Sequence, residues 1–381
     1  MKSTPAHLGG RTSGRARWIA RRNAVFADPR FQHWAAKLPI IRRIARIRAR
    51  GAFDILAGFT YSQVLRAFVD SNLFEVLSEG PVGHGDVAKA IDLSDHAALT
   101  LLRAGRALKL ADEAGEDEWM LGEQGAILAA NPGAQAMIRH QSLLYRDLAD
   151  PLALLRRDRK EPTDLSRYWS YAGALHGAGQ AGEDTGEYSQ LMAASQHFVA
   201  DQVLTSFRFP KRAKLLDVGG GHGAFLERIG TAYPDLELGL FDLPEVAEAG
   251  GERLREALGS HRVSVHPGDF FRAAIPEGYD IVSLVRILHD HDDEPAAELL
   301  ANIRRSLAPG ARLLIAEPMA RVAGAEAMGE AFFGMYLWAM GSGRPRSPDE
   351  IASMAKAAGF AGTRAIPTLQ PINASLVVAT A

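Results

Sequence analysis

Apolar positions along this chain change their period twice. From Pro39, the stretch "PIIRRIARIRARGAFDILAGF" sets Ile40, Ile41, Ile44 and Ile47 on one helical face, with Arg42, Arg43, Arg46 and Arg50 mostly around the other. Residues 52–200 keep a mostly helical spacing. Within them, "GDVAKAIDLSDHAALTLLRAGRALKLADEAGEDEWMLGEQGAIL" (85–128) predicts a short helix from Asp86, a turn around Asp92–Asp95, a second helix to about Leu108 and a hairpin through "EAGEDEW". That is the element order of a winged helix. After the helix "YSQLMAASQHFVADQVLTSF" (188–207), apolar runs at 213–218, 236–241, 262–266, 279–285 and 311–316 alternate with helical stretches. Such alternation predicts an α/β domain, a doubly wound parallel sheet with helices on both faces. "SPDE" opens a helix over 348–358, with Ser347 capping and Glu350 reciprocating, and runs near 362–367 and 374–380 predict an antiparallel edge.

Composition adds an asymmetry. Residues 1–50 hold 13 Lys/Arg against one acid, Asp28, so a segment of +12 precedes a remainder of −14. Residues 1–37 read as a weakly ordered basic arm. The amphipathic helix over 39–50 can dock on its own domain or on a second subunit, or lie peripherally on an anionic membrane surface. Cysteine is absent, which excludes disulfides, thiolate metal sites and a Cys nucleophile. No stretch approaches 18 uninterrupted apolar residues and the N-terminus lacks a signal-peptide core, so a cytoplasmic protein that does not span a membrane is expected. Nucleic acid is not an expected partner. The second helix of the 85–128 module offers only Arg103, Arg106 and Lys109, while the hairpin carries Asp112, Glu113, Glu116, Asp117 and Glu118, which repel phosphate. The expected organisation is 1–50 as basic arm and helix, 51–205 as a helical winged-helix dimerisation domain, and 206–381 as the sheet domain.

The chemistry concentrates at strand ends. In "KLLDVGGGHGAFLERIG" (214–230) a strand ends at Asp217-Val218, and Gly219, Gly221 and Gly223 make a turn that lets a ligand approach the backbone before a helix begins at Ala224. The spacing Asp-x-Gly-x-Gly-x-Gly differs from the Gly-x-Gly-x-x-Gly of dinucleotide folds, which argues against a nicotinamide oxidoreductase. Asp217 can receive a ligand ammonium while the helix N-terminus faces its carboxylate, and the amino-acid end of S-adenosyl-L-methionine carries both groups. Asp242 in "LELGLFDLPEV" is placed to accept ribose hydroxyls, and "HPGDFF" offers Asp269 to an adenine amino group with Phe270 or Phe271 as an apolar face.

Together "LLDVGGGHG", "FDLPEV", "GDFF", "ILHDHDDE" and "LLIAEPM", after the winged-helix pattern, resemble the plant-type small-molecule O-methyltransferases over about residues 55–381. The basic lead, "LMAASQHFVADQVL" and "MYLWAMGSGRPRS" are similar to the bacterial branch acting on hydroxylated acyclic carotenoids of the demethylspheroidene or hydroxyneurosporene type. The resemblance implies a homodimer using S-adenosyl-L-methionine to methylate a hydroxyl of a hydrophobic small molecule. It puts His289 on the catalytic base, Asp290 beside it, and Glu317 on an acid that orients the histidine, fixing its tautomer and raising its basicity. It also implies Met192, Met335 and Trp338 as pocket walls. Two departures stand out: Pro345 in "GRPRS" replaces a second acid, and Val285, with Arg286 beside it, replaces a lysine. Asp292 or Asp293 reads as the cap of the helix that Pro295 enters. No metal is expected, because neighbours such as His289 and Asp290 at a strand end tend to diverge. A phenolic polyketide as acceptor, a tetrapyrrole methylated on carbon, and a winged-helix DNA-binding regulator are the alternative readings.

Overall fold

The computed structural model describes residues 13–37, 39–169 and 185–381, with the backbone alone at 32, 36, 39–42, 44–46 and 185–195. The chain divides into two compact units, 1–124 and 125–381. The first unit starts with α1 (Gly14–Ala27), α2 (Pro29–Lys37) and α3 (Pro39–Asp70). A weakly ordered arm was expected over 1–37; residues 14–27 and 29–37 are helical, with Asp28 extended between them, and residues 1–12 lie outside the described residues. Local capping accounts for the helices: the Ser13 hydroxyl accepts from the Ala16 N–H, and Asp28 Oδ1 accepts from the Arg30 N–H at a Pro29 start. Helices His84–Ala90 and Asp95–Ala107 follow, with strands β1 (Val82–Gly83), β2 (Ala111–Gly115) and β3 (Glu118–Leu121) forming an antiparallel sheet in the order β1-β3-β2. Their shared core holds Phe68, Phe74, Leu102 and Trp119.

The second unit is built on seven strands: β4 (Lys214–Val218), β5 (Glu237–Asp242), β6 (Val263–Pro267), β7 (Ile281–Val285), β8 (Arg312–Glu317), β9 (Gly362–Ile366) and β10 (Ser375–Thr380). Their order is β6-β5-β4-β7-β8-β10-β9, parallel except where β10 runs against β8 and β9. This is a doubly wound, Rossmann-like sheet. β4, β7 and β10 bury nearly every residue because both faces are covered, one core holding Phe225, Leu226 and Ile229 and the other Leu299, Leu300 and Ile303. Strand order reverses between β4 and β7, and open α/β sheets bind ligands at the carboxyl edge of such a switch.

The units meet at Gln124/Gly125, whereas the sequence placed the boundary at 205/206. Helices Pro132–Asp147, Pro151–Arg156 and Asp164–Tyr168 join the sheet unit through a distant segment: Leu144, Leu154, Leu165 and Trp169 bury against Tyr336, Leu337 and Met340. A contact spanning about half the chain leaves no local mark in the sequence.

Candidate active site

The switch point opens into a cleft of about 1300 Å³, counting space open to solvent. One side is the glycine turn. Gly219 (φ +72°) and Gly223 (φ +77°) take left-handed conformations, and a Cβ at Gly219 would lie 2.6 Å from Ile287 Cδ1. The turn therefore presents bare backbone to the cleft, lined by Gly219, Gly220, Gly221 and His222. Asp217 sits behind it, 1% exposed and outside the cleft lining. Its Oδ1 accepts from the Ser283 hydroxyl at 2.6 Å, and Oδ2 is buried without a partner among the described residues. Burial, with Asp242 nearby, pushes this carboxyl up to about 7 against the pull of the Ser283 hydrogen bond. Asp242 lines the cleft, its Oδ2 accepting from the Gly221 N–H and Oδ1 from the Leu243 N–H, each at 2.7 Å. Asp269 and Phe270 line it too, Asp269 Oδ1 accepting from the Phe271 N–H at 2.9 Å. Phe270, Phe271 and His291 form an edge-on cluster with centroids 4.8–5.7 Å apart.

After β7, a 3₁₀ turn at Leu288–Asp290 holds His289, whose side chain is 4% exposed. Its Nε2 lies 3.2 Å from Asp290 Oδ1, so these neighbours converge rather than diverge. Among the described residues no group of three carboxylate or imidazole side chains is arranged to hold a metal ion. Burial pushes His289 down to about 3, helped by the positive charges of Arg286 and Arg346. Burial also pushes Asp290 up to about 7 and Glu317 up to about 8. Glu317 was expected to orient the imidazole ring. Instead its Oε2 accepts from the main-chain N–H of His289 at 3.1 Å, while Glu317 Oε1 and His289 Nδ1 have no partner among the described residues. The end of β8 faces the turn's backbone, so Glu317 fixes the loop and the ring contacts Asp290.

The opposite wall is aromatic: Trp169, Phe332, Phe333 and Tyr336, with Met137, Gln196 and Leu337. Phe333 lies 5.6 Å from the His289 ring, centroid to centroid. Tyr336 is pinned by His140 Nε2 (2.7 Å) and by the Trp169 Nε1–H (3.0 Å). Met335 and Trp338 were expected here and are not. On the helix Phe333–Met340, residues 333, 336 and 337 share one face at 100° per residue, and 335 and 338 fall on the other. Trp338 donates to the Leu154 carbonyl at 3.2 Å, and both side chains pack on the Leu144–Leu154 cluster. Met192 lies on the helix Thr185–Ser206, with its side chain outside the described residues.

The sequence reading missed Arg346, which is fully buried. Its guanidinium donates to the carbonyls of Leu288 (2.7 Å) and His291 (2.8 Å) and to Asp293 Oδ1 (2.8 Å). The Arg344 N–H donates to the His289 carbonyl at 2.9 Å and the Ser342 hydroxyl to that of Asp290 at 2.9 Å. Every carbonyl from 288 to 291 is thus held by residues 342–346. Gly343 (φ +77°) permits the contact, since a Cβ there would sit 2.1 Å from the His289 oxygen. The only signal was "GRPRS" itself, where an arginine in a loop reads as exposed. Asp292 Oδ1 accepts from the Gly343 N–H at 3.0 Å and makes no cap bond to the helix Asp293–Ser306.

Fold and cleft together define an enzyme for small molecules built on a doubly wound sheet. Residues 145–361 match the family model of the O-methyltransferase domain. The chain is 42% identical over 350 residues to the demethylspheroidene O-methyltransferase of Cereibacter sphaeroides, covering 92% of each, and 38% identical over 370 residues to that of Rhodobacter capsulatus, covering 96% and 90%. In fold it is similar to the pyocyanin biosynthetic protein PhzM (TM-score 0.72, 20% identity, 88% and 99% covered). Human N-acetylserotonin methyltransferase, solved in complex with SAM, is also similar (TM-score 0.70, 22% identity, 87% and 97% covered). The chain belongs to the O-methyltransferase family.

Proposed function

We propose that this enzyme transfers a methyl group from S-adenosyl-L-methionine to a hydroxyl of a hydrophobic small molecule, a hydroxylated acyclic carotenoid of the demethylspheroidene or hydroxyneurosporene type. The observation that carries the acceptor is the full-length relationship to enzymes named for demethylspheroidene. The cofactor fits the residues present. Asp217 Oδ2, buried directly behind the glycine turn, is an acceptor without a partner among the described residues, the turn leaves backbone room, and Asp242 and Asp269 face the cleft.

Bound there, the cofactor supplies an already electrophilic methyl group on a sulfonium, so transfer needs no Lewis acid. Asp217 would face the ammonium, Asp242 the ribose hydroxyls, and Asp269 with Phe270 the adenine. Phe333, Tyr336 and Trp169 hold the acceptor and exclude water. His289, neutral at physiological pH, takes the acceptor's proton as the new O–C bond forms. The imidazolium so made is stabilised by the carboxylate form of Asp290, 3.2 Å away. Glu317 and residues 342–346 hold the backbone of the base rather than its ring.

The 85–128 module is read as a winged helix serving dimerisation. Phe53, Ile55, Leu56 and Phe59 on α3 are 58–86% exposed within two turns bearing one charge, Asp54, a surface suited to a second copy. No helix among the described residues is long and apolar enough to cross a membrane. A cytoplasmic enzyme with peripheral contact through residues 1–50 is the reading adopted.

The test is calorimetric titration with S-adenosylhomocysteine, then methyl-transfer assays with demethylspheroidene in detergent and with a panel of phenols. Binding with ether formation on the carotenoid is expected. Turnover of phenols alone would replace the acceptor by a flat aromatic, which the ring-lined wall also accommodates. Absence of binding by folded protein would remove the cofactor assignment.

A further inference from the structure

We infer that α1 and α2 form a docking surface for anionic phospholipid. This deepens the peripheral contact proposed above and rests on that reading. On α1, Trp18, Arg22, Val25 and Phe26 fall at i, i+4, i+7 and i+8, one face of the helix, and Trp18, Val25 and Phe26 are 61%, 47% and 40% exposed. On α2, Trp34 is 52% exposed and continues this face through rings: Phe26 to Phe31 is 6.1 Å and Phe31 to Trp34 is 6.2 Å. Cations are woven through it, with the Arg22 guanidinium 5.2 Å from the Trp18 ring and that of Arg48 4.3 Å from the Phe26 ring. Across 13–37 the only acid is Asp28, against Arg15, Arg17, Arg21, Arg22, Arg30 and Lys37.

Exposed tryptophan and phenylalanine beside arginine suit the boundary between headgroups and acyl chains, where rings leave water and guanidinium groups stay with phosphate. A second copy of this chain is a poor occupant, because a two-fold contact would set like charge on like charge. Duplex DNA matches the charge but leaves the aromatic side chains in water. The α3 stripe differs in kind, being apolar with little charge, and is left to the second copy.

The experiment floats full-length protein with vesicles of phosphatidylcholine alone and of phosphatidylcholine mixed with phosphatidylglycerol. Partition should be at least about tenfold stronger on the anionic vesicles and weaken with salt. It should fall about tenfold in a Trp18→Ser/Trp34→Ser variant, and separately in an Arg17→Gln/Arg21→Gln/Arg22→Gln variant that keeps the rings. Tryptophan emission should shift to the blue on anionic vesicles, and less so in Trp18→Phe/Trp34→Phe. Failure to float, equal partition on both vesicles, or variants that bind unchanged would overturn the inference. So would aromatic variants that become monomeric by light scattering while still binding vesicles, or a preference for duplex DNA over anionic vesicles. Titration with S-adenosylhomocysteine and the detergent assay on the same preparations keep the two readings apart, since both are expected unchanged in these variants.

Discussion

The two walls of the cleft are built on opposite principles. The glycine-turn wall is polar and incomplete: Asp217 holds a buried oxygen without a partner among the described residues, and backbone amides line the surface. The facing wall is aromatic and already satisfied, its one phenol pinned by His140 and Trp169. A ligand must complete the first wall and need only fill the second. Recognition on the polar side therefore rests on a few directional groups, each costly to lose, while on the aromatic side it spreads over area and tolerates change.

His289 stands between the walls, and its removal should have the largest effect. His289→Ala is expected to lower kcat roughly 100-fold or more with S-adenosylhomocysteine affinity changed less than about twofold. Asp242→Ala should weaken that affinity roughly 30-fold by titration and leave kcat at saturation close to wild type. Equal affinity losses in the two variants would erase the division between the walls. Arg346→Met should lower kcat about tenfold and cost about 3 kcal/mol in urea unfolding, because it strips buried donors from two carbonyls, Asp293 keeping its pairing with Arg344; Arg346→Lys should restore part of both.

Asp217 gives a pH signature. Its carboxyl, raised to about 7, is protonated in the unliganded protein below that pH, and an ammonium ligand favours the ionised form. Binding then releases a proton, so affinity is complete above about pH 7 and falls up to about tenfold per unit as pH drops below it. Titrations from pH 5.5 to 8.5 (roughly spanning that midpoint) should show the slope in wild type and lose it in Asp217→Asn. The smallest effect is expected at Trp338→Phe: about 1 kcal/mol of stability from the lost bond to the Leu154 carbonyl, with KM for the acceptor within about twofold. Phe333→Ala, on the cleft face, should raise that KM several-fold more.

The polar wall was readable from sequence because its parts are local. An acid at a strand end followed by alternating glycines states both position and exposure, and β4 to β8 fell within two residues of their apolar runs. The aromatic wall was harder. Met137, Trp169 and Gln196 reach it from three separate segments, and a π turn at Ala327–Phe332 resets the phase of the helix that brings Phe333, Tyr336 and Leu337, so which of 333–340 face the cleft does not extrapolate from upstream. Met335 and Trp338 came from the family resemblance, which carries no information on the phase of this helix. Arg346 escaped because burying a guanidinium depends on carbonyls 55–58 residues away. The N-terminal helices carried readable caps at Ser13 and Asp28-Pro29, masked by the weight of arginine around them.

The clasp of residues 342–346 on the loop 288–291 has a bearing on redesign. The clasp begins two residues after the helix of the aromatic wall, so that wall and the mount of the proposed base are one covalent piece. A chimera that exchanges residues 333–340 alone would splice a foreign helix onto a native clasp and strain the histidine's mount at the seam. Exchanging 333–347 as a block, with a glycine kept at 343, carries wall and mount together, and selectivity in such grafts should transfer with the block rather than with the side chains that touch the acceptor.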